Sequence, residues 1–329
     1  MTQMLRPMSL GEILDRTFQI YRARFLQFVC ISAMPALANM AVYAAANAWL
    51  IRHPQHSGVL LFGITFSRLL WTTMVYASYA FVVLLFRPIF IRAASNAATG
   101  ASFSVYKSLA RTARLWRTML ALNLAQQAIL IFVPASIFIA CVAAIGSSIH
   151  SAHPGVAVMA AALLLLLLVS CALFAEFVWS GACVSLSFAA AELEDASWLT
   201  ALKRSWRLSK KSRGRIIFTW FAVFAGTVVA DFVLRWTVYF ALRLLLRDPA
   251  FWNGLPSYVV TTSLPTALVS CVVGPIYPIA LTLFYYDQRI RHEGYDIEQM
   301  MEAAGLNSTA THPIAEEPIA PSAPQEDHA

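Results

Sequence analysis

The chain has 329 residues, of which 59% are hydrophobic and 12% charged, against roughly 45–50% and 25% in soluble domains. A soluble fold of this size could not hide that much apolar surface, so the solvent for much of it is expected to be lipid. The formal charge of +7 would suit a nucleic acid only as a basic patch on a water-facing surface. Here Lys and Arg sit beside apolar runs, which sets nucleic acid aside as a partner and points to membrane topology.

Pro7-Met8-Ser9-Leu10-Gly11-Glu12 reads as a helix start, with Ser9 as N-cap, Glu12 closing a capping box and Met8 stapled onto Ile13. From there Leu10, Ile13, Leu14, Thr17, Phe18, Tyr21 and Phe25 hold one helical face; Glu12, Asp15, Arg16, Gln19 and Arg22 hold the other. So charged a helix is expected to lie on a membrane surface, apolar side down. The plainer alternative is an amphipathic helix packed on protein. Leu26 to Leu50 carries no charge and is the first expected span, with a kink tolerable at Pro35. It follows roughly two dozen residues of charged segment, so it reads as a retained span rather than a signal peptide. A polar loop, Arg52 to Gly58, leads to a second span, clearest over Leu69 to Phe86, just past Arg68.

A second amphipathic stretch, Ser104 to Arg117, carries Lys107, Arg111, Arg114 and Arg117 and no acidic residue. The third span is expected over Thr118 to Ala144 and a loop over Gly146 to Gly155. The fourth, Val156 to Ala191, carries only Glu176 and is too long for one simple crossing, so it either projects beyond the membrane or breaks near Gly181. The third amphipathic stretch, Ser197 to Arg215, is the most basic, with Lys203, Arg204, Arg207, Lys210, Lys211, Arg213 and Arg215. Ile216 to Leu242 gives the fifth span, Arg247 to Pro256 a loop, and Val259 to Tyr286 the sixth. The segment 303–329 should be a disordered cytoplasmic tail. Cys30, Cys141, Cys171, Cys183 and Cys271 all lie in apolar stretches without a Cys-x-x-Cys pair and read as small buried hydrophobes.

The amphipathic stretches repeat one pattern. Ser9, Ser104 and Ser197 begin copies 95 and 93 residues apart. Leu14, Arg16, Thr17, Ile20 and Arg22 are answered by Leu109, Arg111, Thr112, Leu115 and Arg117, then by Leu202, Arg204, Ser205, Leu208 and Lys210. Each copy precedes apolar sequence enough for two crossings. The expected fold class is therefore all-α: a polytopic transmembrane helical bundle of about six spans. It is built as three parallel repeats (about 9–100, 104–192 and 197–290) of a cytoplasmic amphipathic helix and a hairpin, in one integral membrane domain over 1–302. Of the 24 Lys and Arg, 19 fall in the terminal segments and the 87–117 and 188–215 loops, which predicts both termini cytoplasmic.

Ionisable residues inside a membrane are functional candidates by default, here Arg68, Glu176, Asp231 and Arg235. Asp231 and Arg235, four apart, read as a structural pair near the far interface or as an ion or proton site. Glu176 is cheap near the inner end of its span and a proton or cation relay at its centre. Arg16, Arg22, Arg111, Arg117, Lys203, Arg204, Arg207, Lys210 and Arg213 are candidates for facing anionic lipid, each contributing about 1 kcal/mol beside an anionic leaflet; alternatively they only enforce topology. No Gly-rich phosphate loop, Gly-x-Ser-x-Gly elbow or His-Glu-x-x-His motif is present. No enzymatic activity, cofactor or metal is therefore expected.

Three stretches carry a resemblance: Arg6-Pro7-Met8-Ser9-Leu10-Gly11-Glu12-Ile13-Leu14-Asp15-Arg16, Ala201-Leu202-Lys203-Arg204-Ser205-Trp206-Arg207-Leu208, and Tyr285-Tyr286-Asp287-Gln288-Arg289-Ile290-Arg291-His292-Glu293-Gly294-Tyr295-Asp296. In that order they resemble the N-terminal signature, central basic helix and C-terminal signature of the bacterial glycerophosphoryl diester phosphodiesterase membrane domain. The resemblance implies a protein of the bacterial cytoplasmic (inner) membrane. In some members a fused soluble phosphodiesterase domain carries the catalytic residues; the connecting loops here are too short to hold one, so no catalysis is implied. The expected function is a non-catalytic membrane protein that organises anionic lipids or a membrane partner, a second copy included. The alternative is a transporter or permease for a small or amphipathic molecule, which calls for a polar cavity reaching mid-membrane.

Overall fold

A capped helix opens the chain in the computed structural model, which describes residues 7–52, 59–61, 64–65, 78, 82, 86–100, 105–152, 155–246, 249–252, 255–294 and 301. Arg68, most of the second expected span and the tail from 303 lie outside them. In helix α1 (Leu10–Ala23) the Glu12 N–H donates to Ser9 Oγ at 3.3 Å and the Ser9 N–H to Glu12 Oε2 at 2.7 Å, completing the box. Met8 and Ile13 both enter the core. After a turn at Arg24 comes α2 (Phe25–Arg52) and a short antiparallel hairpin of β1 (Val59–Leu61) and β2 (Ile64–Thr65). Helix α3 covers residues 86–99. Next come α4 (Val105–Arg114), α5 (Trp116–Gln127), a π turn (Ala128–Phe132), α6 (Val133–Ala152), α7 (Val156–Val184) and α8 (Ser187–Glu194). The chain continues through α9 (Trp198–Ser209), α10 (Arg213–Leu245), α11 (Pro249–Trp252), α12 (Leu255–Tyr258), a second π turn (Val259–Ser263), α13 (Leu264–Val273) and α14 (Ile276–Glu293).

Five helical stretches among the described residues are long and apolar enough to cross a membrane: Phe25–Ala45, Trp116–Ile145, Val156–Glu194, Arg213–Leu245 and Pro256–Glu293. Along α7 and α10 they turn Leu164, Leu168, Val229 and Phe232 outward. So much outward apolar surface is costly in water and costs nothing in lipid. The densest core lies instead at one end, where buried side chains of α1, α3, α8, α9 and α14 meet. Most Lys and Arg gather there, and it is called the basic end below.

The apolar faces of α1 and α9 correct the expectation of helices lying apolar side down on lipid. Ile13, Thr17, Ile20 and Tyr21 are buried and α1 packs along α14; Ala201, Ser205 and Leu208 are buried and α9 packs on α7 and α8. The plainer alternative holds because α8 and α14 are apolar on more than one side at this end and need a cover. The loop expected from Gly146 is also shorter, for α6 runs on to Ala152. A backbone leaving lipid keeps its own hydrogen bonds as long as it can, whatever its Gly and Ser content. The stretch expected as the fourth span breaks at Ser185–Leu186, a turn past Gly181.

The last of the five stretches, Pro256–Glu293, is interrupted between α13 and α14 at Gly274–Pro275. Pro275 has no N–H to offer the Cys271 carbonyl one turn earlier. The Ser32 hydroxyl of α2 lies 2.7 Å from that oxygen, and the Tyr21 hydroxyl donates to the next carbonyl, Val272, at 2.6 Å. The break is thus the place where α1 and α2 grip α13.

Candidate functional site: the basic end and the cavities beneath it

Three carboxylates organise the basic end. Asp287 is fully buried and accepts from the Met8 N–H at 2.8 Å, Arg291 Nε at 2.9 Å, Gln288 Nε2 at 2.9 Å and Arg215 Nη2 at 3.3 Å. Arg291 also donates to the Met8 carbonyl at 2.8 Å, so the two terminal signatures meet on one carboxylate. Glu192, equally buried, pairs with Arg92 at 2.7 Å and lies 3.9 Å from Arg111. Glu194 binds Arg204 and the Tyr285 hydroxyl, with Arg289 at 3.5 Å. Arg204 reaches Glu293 as well, at 2.7 Å. Burial opposes its charge, but the neighbouring Glu194 and Tyr285 outweigh burial and raise its pKa above the ordinary arginine value.

These partners sort the residues proposed to face anionic lipid. Arg204 is turned inward and only 18% exposed. Arg111 is held by Asp195 at 2.6 Å, and Arg16 donates to Gln19 at 3.3 Å. Arg213 lies between the Trp179 and Trp206 rings at 4.9 and 4.7 Å, and Arg117 lies over the Trp116 ring at 5.6 Å. Arg22, Lys203, Lys210 and Arg207 are exposed, Arg207 by 73%. On α9 the exposed Trp198, Leu199 and Trp206 accompany them.

Within the bundle, Asp231 and Arg235 pair at 2.7 Å, as their spacing suggested. Thr266 of α13 completes the group, donating to Asp231 Oδ1 at 2.7 Å and accepting from Arg235 Nη2 at 3.1 Å. Glu176 faces outward. It stands three residues before Trp179, about 4.5 Å along the helix axis, and Trp179 lies against Arg213 at the α9–α10 junction. Its depth is therefore close to the basic end. Arg68 lies outside the described residues.

Three cavities follow one another through the bundle. The largest, about 570 Å³, is lined by Tyr43, Arg235, Tyr258, Thr262 and Thr266. It shares Ala36, Asn39 and Ser270 with a second of about 210 Å³, which extends to Arg87 and Tyr277. A third, about 110 Å³, shares Arg87 and Tyr277 and continues to Gln126, Phe177 and Trp220. The π turns stand at both ends of this path, Leu130 from the first and Thr262 and Ser263 from the second. Such turns widen a helix locally and are frequent at functional sites. Glu176 lines none of the three.

Sequence reasoning missed Arg87, counting it as a topological charge at the end of an apolar run. Asn39, Gln126 and Thr266 did carry a signal, being polar residues inside apolar runs. Among the described residues no group of three His, Cys, Asp or Glu is placed to hold a metal ion, and the five cysteines are free thiols. Comparison with protein-family models, with curated proteins and with solved structures finds no match in any of the three.

Proposed function

We propose that this is a multipass membrane protein without a reaction of its own, which engages anionic lipid headgroups on the cytoplasmic leaflet through the outer face of α9. The observation that carries the reading is the exposure of Lys203, Arg207 and Lys210 beside Trp198, Leu199 and Trp206. Amphipathic indole rings favour headgroup depth and each basic residue there contributes about 1 kcal/mol. A bacterial cytoplasmic membrane with both termini inside follows from the charge bias and from the resemblance of the end signatures to the glycerophosphoryl diester phosphodiesterase membrane domain. The threefold repeat belongs to the same reading. Its support is a hydroxyl at one offset in each copy: Thr17 donates to the Ile13 carbonyl and Ser205 to the Cys183 carbonyl, each at 2.7 Å, and Thr112 Oγ1 is buried.

Detergent-solubilised full chain presented to liposomes tests the reading. Replacing Lys203, Arg207 and Lys210 together by Gln is expected to weaken association with anionic vesicles by up to about 3 kcal/mol, and to reduce its salt dependence. Association with zwitterionic vesicles should not change. An unaltered preference for anionic vesicles would sink the proposal. A second reading, passage of a small or amphipathic molecule, is favoured by the linked cavities from Arg235 to Arg87.

A further inference from the structure

Several arginines of this bundle are neutralised by carboxylates. Arg92, Arg215, Arg235 and Arg289 have one at 2.7, 3.3, 2.7 and 3.2 Å. Arg87 has none among the described residues; its guanidinium lies over the Phe188 ring at 5.7 Å. A phenyl face offers a cation about 0.5–2 kcal/mol, far less than the several kcal/mol needed to strip an ion of water. Tyr277 lines the same two cavities, and its hydroxyl likewise has no hydrogen-bond partner among the described residues. Two donors therefore stand open to one space, and no described carboxylate lines it.

That space is open to the lipid-facing side. The rim of the 110 Å³ cavity is made by Leu130, Phe177, Val178, Ile217 and Trp220, all half-exposed, from the first π turn, α7 and α10. A water-sized group needs about 10–15 Å³ on this measure, so a tetrahedral anion fits inside. Beyond the rim the outward faces of α7 and α10 are apolar. Cation within, apolar lip without, is the polarity of a lipid entering headgroup first.

We propose that this cavity binds the phosphate headgroup of an anionic lipid, held by Arg87 and the Tyr277 hydroxyl, with the acyl chains lying outside between α7 and α10. The site is separate from the α9 surface and does not depend on that surface binding lipid. It gives the cavity path a ligand class, an amphiphile with one anionic phosphate.

Trp220, on the rim, supplies the probe. Full-length protein in zwitterionic nanodiscs is titrated with phosphatidylglycerol brominated on its acyl chains. Quenching of Trp220 is read as the difference from a Trp220→Phe variant. Saturable quenching by this lipid, and not by brominated phosphatidylcholine, is expected. Arg87→Gln should weaken it by about tenfold or more, and Tyr277→Phe by a few-fold, as lost hydrogen bonds to a charged group do. Arg87→Lys, which keeps the cation, should retain most of the affinity and guards against a folding defect in the Gln variant. Replacing Lys203, Arg207 and Lys210 by Gln should leave this quenching unchanged, separating it from leaflet docking. Equal quenching by both lipids, quenching indifferent to Arg87→Gln, or saturation by inorganic phosphate with no preference for the anionic lipid would each overturn the proposal.

Discussion

Asp287 and Asp195 are both carboxylates paired with arginine at the basic end, yet removing them should have unequal consequences. Asp287 is fully buried and is the shared acceptor for Arg215, Arg291 and the Met8 N–H. Its loss strands two cations and a backbone donor, so Asp287→Ala is expected to cost about 3–5 kcal/mol. Asp195 is 58% exposed, and its bond to Arg111 competes with water. Asp195→Asn should cost under about 1 kcal/mol, the more so because Asn also tolerates the left-handed φ of 53° found there. Unfolding in one detergent, followed for both variants, checks the contrast; comparable losses would refute the burial argument. Glu176→Gln should leave both anionic-vesicle association and Trp220 quenching unchanged, since Glu176 faces outward and lines none of the three cavities. How much of this was legible depends on where the partners lie. The Asp231–Arg235 pair is four residues apart and could be read from spacing alone. Asp287 could not, because Met8 is 279 positions away and Arg215 is 72. Arg87 was misread for a related reason: its surroundings come from other helices.

Helices are the most legible elements here, because hydrophobic run length, capping and charge are local properties. Ser9 and Glu12 declare the start of α1 without help from the rest of the fold. Interruptions are less legible. Nothing in Ala128–Phe132 or Val259–Ser263 marks a π turn, since one extra residue per turn is imposed by packing. Pro275 is visible in the sequence, but the Ser32 hydroxyl that serves the carbonyl it orphans is 239 residues from that carbonyl. This compensation can be tested by a double-mutant cycle. Ser32→Ala with Pro275 in place leaves the Cys271 oxygen short of a donor and is expected to destabilise by about 1–3 kcal/mol. In a Pro275→Ala background the restored N–H can serve that oxygen, so the same Ser32→Ala change should cost markedly less. A coupling of about 1 kcal/mol or more in chemical unfolding supports the clamp; additive losses would count against it.

At the scale of the whole molecule, amphipathic helices and returning helices interlock. Helix α1, near the start of the chain, covers α14, near its far end; α9 covers α7 and α8, which precede it. The first of these covers thus joins helices that lie far apart in the sequence. For both covers to share the basic end, the covering helices must stand on one side of the membrane. In the orientation proposed from the charge bias, that side is the cytoplasmic one. The stretch Trp116–Ile145 has 30 residues, or about 45 Å at 1.5 Å each, more than the roughly 30 Å of a hydrocarbon core. The turn at Gly155 therefore stands clear of the lipid on the opposite side. Single cysteines placed in a chain freed of its five native ones can report both faces. Arg114→Cys, at the C-terminal end of α4, and Lys211→Cys, between α9 and α10, replace exposed residues. At Gly155 an added Cβ meets nothing within 4 Å, so Gly155→Cys is tolerable. A membrane-impermeant maleimide should label Arg114→Cys and Lys211→Cys in inside-out vesicles and leave them unlabelled in intact cells, with Gly155→Cys behaving in the opposite way. Labelling of Arg114→Cys and Lys211→Cys from different sides would break the parallel arrangement. Labelling of both from outside would keep the arrangement and invert the orientation, and the anionic cytoplasmic leaflet could then no longer be the partner of α9.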